Sequence, residues 1–274
     1  MICVKLTNGF GNNLFQLIAS KLLSEYLNDD LFFVEPYKGY YATDYIKQLN
    51  IATLLDSTTK NFHIVDDKTY PSAFRKKIKS DILLSGYFED YRYFLPNRQR
   101  IKSWFPKIKS RKDCLAVHIR TGDRLFMKNE FYSKPSAEAY KLAVEDFQFK
   151  NLHIVTDSPV WRNITKEELA SFEFHTNVPD VDRVPIEDSV KYFNSLVDAF
   201  SEYNIICEKR NVLEDFNFIR SCDNILFEHG TLSWWAAFLS DASKVGVYGP
   251  WRPWKGSSNK NLSNVPLEGW FKWE

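Results

Sequence analysis

The feature that most constrains the fold is an alternation of short apolar runs with amphipathic helical stretches, repeated along the whole sequence. Parallel strands need a crossover connection, usually a helix, so this pattern predicts parallel sheets flanked by helices. Ligand sites are then expected at the carboxyl ends of the strands. The predicted strands are 2–6, 31–34, 62–65, 82–88, 114–119, 152–155, 205–207, 225–227 and 245–248. The predicted helices are 14–26, 45–56, 91–105, 136–147, 165–172, 187–202, 214–221 and 233–239.

A polar, mostly charged segment at 107–113 divides the sequence into two halves, and each half carries the alternation. Domain boundaries commonly fall in such segments. The 274 residues are enough for two domains of ordinary size. We therefore predict an α/β protein with an N-terminal domain at 1–110 and a C-terminal domain at 111–274, whose tail packs back on the first domain.

Composition excludes several classes of partner and location. Lys plus Arg is 36 and Asp plus Glu is 35, so the net charge of +1 gives no general attraction to nucleic acid. No apolar run reaches the roughly 18 residues that span a bilayer, and the N-terminus lacks the pattern of a signal peptide. Cys3, Cys114, Cys207 and Cys222 have no paired ligand spacing, which is typical of buried thiols in a reducing compartment. We expect no integral membrane segment and a cytoplasmic location.

Gly9 and Gly11 lie in a turn between the first predicted strand and the first predicted helix. Glycine permits backbone angles and close approaches that other side chains prevent, and the amides at the start of a helix attract anions. The third glycine of a dinucleotide-binding motif is absent, because Asn12 and Asn13 follow instead. The turn is therefore either part of a site for an anionic ligand or a tight connection between strand and helix.

Arg120 follows directly after an apolar strand, where ligands bind in open parallel sheets. Its guanidinium is a rigid fork that fits phosphate oxygens. Gly122 lets the backbone turn, and Asp123 either orients Arg120 or caps the next element. His118 precedes Arg120 by two residues and faces the same side of the strand. The alternatives are an ordinary surface ion pair for the arginine and a hydrogen-bonded core residue for the histidine.

A second strand-to-helix turn contains Gly230, Thr231 and Ser233, which could offer backbone and hydroxyl donors to a phosphate at a helix N-terminus. His229 is a candidate base or hydrogen-bond donor in the same turn. Trp234 follows, and it belongs either to this site or to the core. The segment is thus the second place where the sequence could bind a phosphorylated ligand.

Asp180 and Asp182 have the spacing of a metal and nucleotide-sugar motif, but they lie between prolines with no apolar strand before them. No histidine cluster or phosphate-binding lysine loop accompanies them. We therefore predict that the protein uses no metal. A metal-dependent reaction through these two carboxylates is the alternative.

Several segments together resemble the α-1,2-fucosyltransferases, glycosyltransferase family 11. The segment HIRTGD at 118–123 is the most specific match, and it corresponds to the central motif of that family. The thr-asp segment at 155–159 is similar to one in the wider fucosyltransferase superfamily. All of the matches occur in the order of the family, over about residues 4–254. The other matching segments are GFGNNLFQ at 9–16, SGYFEDYRYF at 85–94 and LSWWAA at 232–237.

The resemblance implies a GT-B architecture, with two Rossmann-like domains whose parallel sheets face a central cleft. It also implies inverting, metal-independent transfer of a sugar, foremost L-fucose from GDP-fucose, to a hydroxyl of a glycan acceptor. The nucleotide sugar is then a co-substrate, and no cofactor is expected. By this resemblance Arg120 holds the β-phosphate of GDP and stabilises the departing charge, and Asp157, Thr231 and Ser233 lie near the nucleotide.

The candidate site combines these motifs. The catalytic candidates are Arg120 and His229. The donor-binding candidates are His118, Gly122, Asp123, Asp157, Gly230, Thr231, Ser233 and Trp234. The candidates that line the cleft from the first domain are Gly9, Gly11, Asn12, Asn13 and Gln16.

The sequence also departs from the family pattern at sugar and phosphate contacts. His229, Gly230 and Thr231 stand where the family usually has asn-ser-ser, and Thr121 stands where a second arginine often follows Arg120. A related transferase with another donor, such as a xylosyl nucleotide sugar, is therefore one alternative. A glycan-binding or nucleotide-binding protein without catalysis is another.

Overall fold

The computed structural model of the chain describes residues 1–38, 40, 42–55, 61–75, 78–128, 134–172, 183–228, 230–249 and 267–273. The chain divides into two compact units, the first containing Met1–Lys107 and the second beginning at Ile108. Each unit contains one sheet, and the described strands of both sheets pair in parallel. The predicted fold class, α/β with two parallel sheets, is confirmed.

The first unit has a sheet with the strand order β3-β2-β1-β5-β4, so β1 and β5 lie side by side near its centre. Its described strands are β1 (Ile2–Lys5), β2 (Leu31–Val34), β3 (Thr53–Leu54), β4 (His63–Val65) and β5 (Ile82–Leu84). Its described helices are α1 (Phe10–Leu27), α2 (Thr43–Leu49), α3 (Tyr70–Ala73), α4 (Tyr91–Phe94) and α5 (Arg98–Ser103), with a 3-10 turn at Leu95–Asn97.

Two predicted helices of this unit are shorter than the sequence pattern suggested. The helix expected at 45–56 ends at Leu49, because Asn50 adopts a left-handed conformation with φ of 52°, and strand β3 follows. The helix expected at 91–105 is interrupted at Pro96, which has no backbone N–H to continue the ladder, so a 3-10 turn separates α4 from α5. The strand expected at 82–88 likewise ends at Leu84.

The second unit has the strand order β11-β10-β9-β6-β7-β8. Counted along the unit, this is the 6-5-4-1-2-3 order of a Rossmann sheet. Its described strands are β6 (Arg111–Ile119), β7 (Asn151–Thr156), β8 (Ile205–Ile206), β9 (Cys222–Phe227), β10 (Lys244–Tyr248) and β11 (Phe271–Trp273). Its described helices are α6 (Ala137–Glu145), α7 (Lys166–Ala170), α8 (Ile186–Ala199), α9 (Val212–Ser221) and α10 (Thr231–Leu239), with a 3-10 turn at Asp123–Leu125.

Strand β11 was not predicted, and it adds the described end of the tail to the second sheet. Gly246 on β10 pairs with Phe271 on β11, and a Cβ at Gly246 would come within 2.5 Å of the Phe271 ring. The Trp273 ring packs 4.8 Å from the ring of Tyr140 and is itself buried. The predicted packing of the tail on the first domain stays a prediction, because residues 250–266 of the tail lie outside the described residues.

The cysteines are partly as predicted. Cys3, Cys114 and Cys222 are buried free thiols, whereas Cys207 is exposed because it follows the short edge strand β8. Within the described residues, no helix combines the length and the apolar character that a membrane crossing requires.

Candidate functional site

The strands β6 and β9 of the second unit mark the point where the strand order reverses, which is where ligands bind in open α/β sheets. Their pairing ends at His118 and Phe227. Beyond these residues the chain turns away in two directions, through the loop that begins at Arg120 and through Gly230 into α10. The structure therefore brings the two predicted phosphate-binding segments to the same edge of one sheet.

Two carboxylates hold the backbone of the loop after β6. The N–H of Arg120 donates to Oε1 of Glu228 over 2.7 Å. The N–H groups of Thr121 and Gly122 both donate to Oδ1 of Asp157, each over 2.7 Å. The Thr121 hydroxyl bonds the same oxygen over 2.8 Å. Three successive amides are thus turned toward carboxylates that follow neighbouring strands, whereas the side chain of Arg120 can offer a donor to an anion.

The guanidinium of Arg120 lies at this edge and is 39% exposed. Its Nη2 atom donates to Oδ1 of Asp123 over 3.1 Å. Asp123 is the first residue of the short 3-10 turn, and its side chain is 30% exposed. Asp123 therefore orients Arg120, which is one of the two roles predicted for it, while the guanidinium keeps access to solvent.

Gly122 is required by the close approach of Asp157. A Cβ at position 122 would lie 2.3 Å from Oδ2 of Asp157, and the nearest atoms to it all belong to that carboxylate. Asp157 was predicted to lie near the nucleotide. In the structure, Oδ1 of Asp157 accepts hydrogen bonds from Thr121 and Gly122 of the loop, so the observed contacts of this carboxylate are structural.

His118 links the end of β6 to the start of α10. Its Nδ1 lies 3.0 Å from Oγ of Ser233, whose residue is completely buried. Burial lowers the pKa of His118 to about 4, and the positive charges of Arg120 and Arg124 act in the same direction. His118 is therefore neutral near pH 7. These contacts match the hydrogen-bonded histidine that the sequence left open as an alternative, and the residue is partly buried.

The start of α10 contains Gly230, Thr231 and Ser233. Gly230 precedes the helix in an extended conformation, and a Cβ there would lie 3.0 Å from Oγ of Ser233. Thr231 is partly buried at the first helical position. Trp234 is completely buried and stacks on Phe238 at 5.0 Å, so its indole belongs to the core in this structure. His229 lies outside the described residues.

Glu228 and Arg124 are a buried pair at this edge that the sequence analysis missed. Arg124 is 5% exposed and Glu228 is 2% exposed, and Nη1 of the former lies 3.7 Å from Oε2 of the latter. Burial raises the pKa of Glu228 to about 7, although Arg124 and the Arg120 N–H act to lower it. The available signal was a glutamate placed directly after the apolar strand β9.

The glycine turn of the first unit has an equivalent position in its own sheet, after β1 and beside β5. Gly9 and Asn12 are partly buried there, and Gly11 is buried. Asn13 and Gln16 are 0% and 1% exposed, so their side-chain amides form hydrogen bonds inside the protein. The structure therefore separates the predicted cleft residues into those with access to solvent and those that hold the turn.

The Gln16 side chain joins the turn after β1 to the loop after β5. Its Nε2 donates to the Thr7 hydroxyl over 2.6 Å and to the carbonyl of Gly86 over 2.9 Å, and its Oε1 accepts from the Thr7 N–H over 3.0 Å. Asn13 donates to the Thr7 carbonyl and accepts from the hydroxyl of Tyr40. This network explains a buried glutamine in an otherwise apolar helix.

The first unit repeats the carboxylate arrangement of the second. Asp67, after β4, accepts from the N–H groups of Tyr87 and Phe88 in the loop after β5. A Cβ at Gly86 would lie 2.3 Å from Oδ2 of Asp67. In each unit, an aspartate that follows one strand fixes the loop after the neighbouring strand and requires a glycine there.

Metal binding has no support among the residues that the structure describes, where no group of three His, Cys, Asp or Glu side chains could hold an ion. Asp180 and Asp182, on which the metal-dependent alternative depended, lie outside those residues.

No protein-family model matches the chain, and no curated protein matches it. Among solved structures it is similar to the bacterial iron-containing dodecameric glycosyltransferase TibC from enterotoxigenic E. coli H10407, with a TM-score of 0.39 and 9% identity. That similarity covers 90% of this chain and 57% of TibC, so the chain spans little more than half of that protein. The fucosyltransferase NodZ from Bradyrhizobium has a TM-score of 0.39 and 10% identity, over 87% of this chain and 93% of that one.

Proposed function

We propose that this protein is an inverting, metal-independent glycosyltransferase, in which a nucleoside diphosphate sugar binds at the edge of the second sheet. The observation that supports it most is the Arg120 guanidinium, which is oriented by Asp123 and partly exposed where the strand order reverses. A rigid, charged fork at such a position suits the paired oxygens of a diphosphate.

The reaction needs charge stabilisation more than it needs covalent chemistry. The bond from the anomeric carbon to the β-phosphate oxygen breaks, and its electron pair leaves with the diphosphate. The acceptor hydroxyl oxygen forms the new bond on the opposite face and gives up its proton to a base. Donors that are fixed before the reaction stabilise the growing negative charge at little reorganisation cost. Arg120 takes this role in the proposal, because Glu228 already holds its N–H and Asp123 its guanidinium.

The start of α10 supplies the second part of the donor site in this proposal. The N-terminus of a helix favours an anion, and Gly230 contributes no side chain that would block the approach. Thr231 is partly exposed there, whereas Ser233 is directed to His118. We therefore assign Thr231 to the ligand and Ser233 to support. The acceptor side is assigned to the first unit, at the turn that contains Gly9 and Asn12.

The donor is proposed as GDP-fucose, on the resemblance of the segments 9–16, 118–123 and 232–237 to the α-1,2-fucosyltransferases. His229 is proposed as the base or as a sugar contact. The departures at 229–231 leave a xylosyl nucleotide sugar as the competing donor. His229→Ala should lower transfer strongly, and full activity in that variant would remove the histidine from the mechanism.

A thermal-shift panel with GDP-fucose, other GDP-sugars and UDP-xylose tests the donor, because a ligand of the folded state raises the melting temperature. We expect the largest shift with GDP-fucose. Incubation of the purified protein with that donor and glycan acceptors should then give a transfer product in the presence of EDTA. Donor binding without hydrolysis or transfer would instead identify a binding protein, and activity abolished by EDTA would identify a metal-dependent enzyme.

Arg120→Ala tests the central residue. We expect transfer to fall by about 10²-fold or more, because oxyanion donors of this kind contribute on that scale, while the protein stays folded. Arg162→Ala is the matched control, since Arg162 is an exposed arginine of the same unit that pairs with Glu168. Near-normal turnover in Arg120→Ala would refute the assignment.

A further inference from the structure

We propose that Glu228 is a positioning residue for Arg120: its buried carboxylate continues the contact between β6 and β9 beyond the end of their backbone pairing and thereby fixes where the guanidinium stands. The expected effect of Glu228 on catalysis rests on the proposed function, whereas its effect on the position of the Arg120 backbone rests on the geometry alone.

The position of Glu228 explains why a side chain is needed here. The two strands pair as far as His118 and Phe227, after which the chain leaves β6 toward Arg120 and leaves β9 toward α10. The N–H of Arg120 is the next donor along β6, and Oε1 of Glu228 accepts it over 2.7 Å. A side-chain carboxylate thus replaces the strand carbonyl that the diverging backbones can no longer provide.

The other oxygen of Glu228 faces a second arginine. Oε2 lies 3.7 Å from Nη1 of Arg124, which is buried in the 3-10 turn that begins with Asp123. A charge buried without a partner is costly, so each member of this pair holds the other in place. Arg120 is therefore fixed at two points. Glu228 accepts a hydrogen bond from the backbone N–H of Arg120, and Asp123 accepts one from its guanidinium. Asp123 lies on the turn that Arg124 anchors.

The surroundings of Glu228 keep it away from a substrate. It is 2% exposed, and the charged or titratable groups that act on it or respond to its charge come from several elements of the unit. They are Arg120, Arg124, Lys134, Tyr140, Asp157 and Tyr192. A buried carboxylate with these neighbours can orient a catalytic group, but it cannot itself contact the sugar or its phosphates.

The structural test is amide hydrogen exchange of the peptide that contains residues 119–122. Glu228→Ala should accelerate exchange of the Arg120 amide at least tenfold, because it removes that amide's acceptor. Glu228→Gln keeps a carbonyl oxygen in place and should restore most of the protection. Glu145→Ala, at an exposed position on α6, is the control and should change nothing. Unchanged exchange in Glu228→Ala would overturn the inference.

The kinetic test separates positioning from general stability. Glu228→Ala should lower kcat by about 10²-fold, the scale expected for misplacing a catalytic group by about 1 Å, and leave the acceptor KM unaltered. Glu228→Gln should recover most of kcat. Equal activity of Glu228→Ala and wild type, or no recovery with glutamine, would overturn the inference. If Glu228→Ala does not fold, Glu228→Gln is compared with Glu228→Leu, which keeps the bulk without an acceptor.

The two proposals fail in different ways. A wild-type protein that binds no nucleoside diphosphate and transfers no sugar would end the proposed function, and the exchange measurement would still decide whether Glu228 fixes the Arg120 backbone. Normal exchange together with normal transferase activity in Glu228→Ala would leave the function intact and end the positioning role.

Discussion

Gly122→Ala offers a sharp test of how the loop after β6 is held. An added Cβ would lie 2.3 Å from Oδ2 and 3.1 Å from Cγ of Asp157. Real atoms do not approach so closely, so either the carboxylate rotates away or the loop moves. Both movements break the bonds that Oδ1 of Asp157 accepts from the Thr121 N–H, the Gly122 N–H and the Thr121 hydroxyl.

The size of the effect follows from those bonds. A hydrogen bond to a charged group contributes about 1.5–3 kcal/mol when it is buried. Asp157 is exposed, so water can replace part of each bond, and we estimate about 1 kcal/mol for each. Gly122→Ala should therefore lower the free energy of unfolding by about 3 kcal/mol, well above the roughly 0.5 kcal/mol of an ordinary surface substitution.

A double-mutant cycle identifies the cause. Asp157→Ala should itself destabilise by a similar amount, and Gly122→Ala should add little in that background, because the atoms nearest to the new Cβ are gone. Urea unfolding followed by tryptophan fluorescence, to which the buried Trp234 and Trp235 contribute, measures this change, with Glu145→Ala as an exposed control. Additive costs of the two substitutions would refute the reasoning, because the penalty would then not come from the carboxylate.

Three further predictions concern buried or partly buried polar groups. The pKa of His118 in the folded protein is about 4, below its ordinary value of 6.5. As the pH falls, the unfolded state therefore binds a proton before the folded state does, and the free energy of unfolding decreases between about pH 6.5 and 4. His118→Asn should remove up to about 3 kcal/mol of that loss. Urea unfolding at several pH values between 7 and 4.5 measures it, and a free energy of unfolding that falls with pH as steeply as in the wild type would contradict the prediction. The contribution of Glu228 to stability depends on pH in the opposite direction. Its pKa of about 7 in the folded protein lies above the ordinary value of 4.5, so the free energy of unfolding falls as the pH rises from 4.5 to 7. Glu228→Gln should remove that fall. In the first unit, Gln16→Ala should destabilise by about 2 kcal/mol, because it leaves the partly buried Thr7 and Gly86 groups without this partner, whereas the exposed Gln48→Ala should be neutral. Equal midpoints for these two variants would show that the Gln16 network does not hold the turn.

The strands were predictable because their apolar runs reflect burial in a sheet covered by helices. The run at 31–34 coincides with β2, and the run at 114–119 forms the buried part of β6. The errors fall where one residue changes the backbone. Asn50 in a left-handed conformation ends α2, and Pro96 breaks the helix expected at 91–105.

The candidate site was predictable in part, and the missing part depends on tertiary contacts. Arg120 stands out in the sequence because an arginine follows an apolar strand, and its pairing with Asp123 lies within one short turn. Glu228 is 108 residues away along the chain from the amide that it holds. Asp67 and the loop that it holds at Tyr87 are 20 residues apart along the chain. Only the order of strands in the sheet brings such pairs together.

A crystal structure of the protein with bound GDP tests the role of Arg120 most directly. We expect a guanidinium nitrogen of Arg120 to lie about 3 Å from an oxygen of the β-phosphate, with the loop amides still bonded to Glu228 and Asp157. A diphosphate bound elsewhere, with the Arg120 guanidinium still paired to Asp123 and far from the phosphates, would contradict this role.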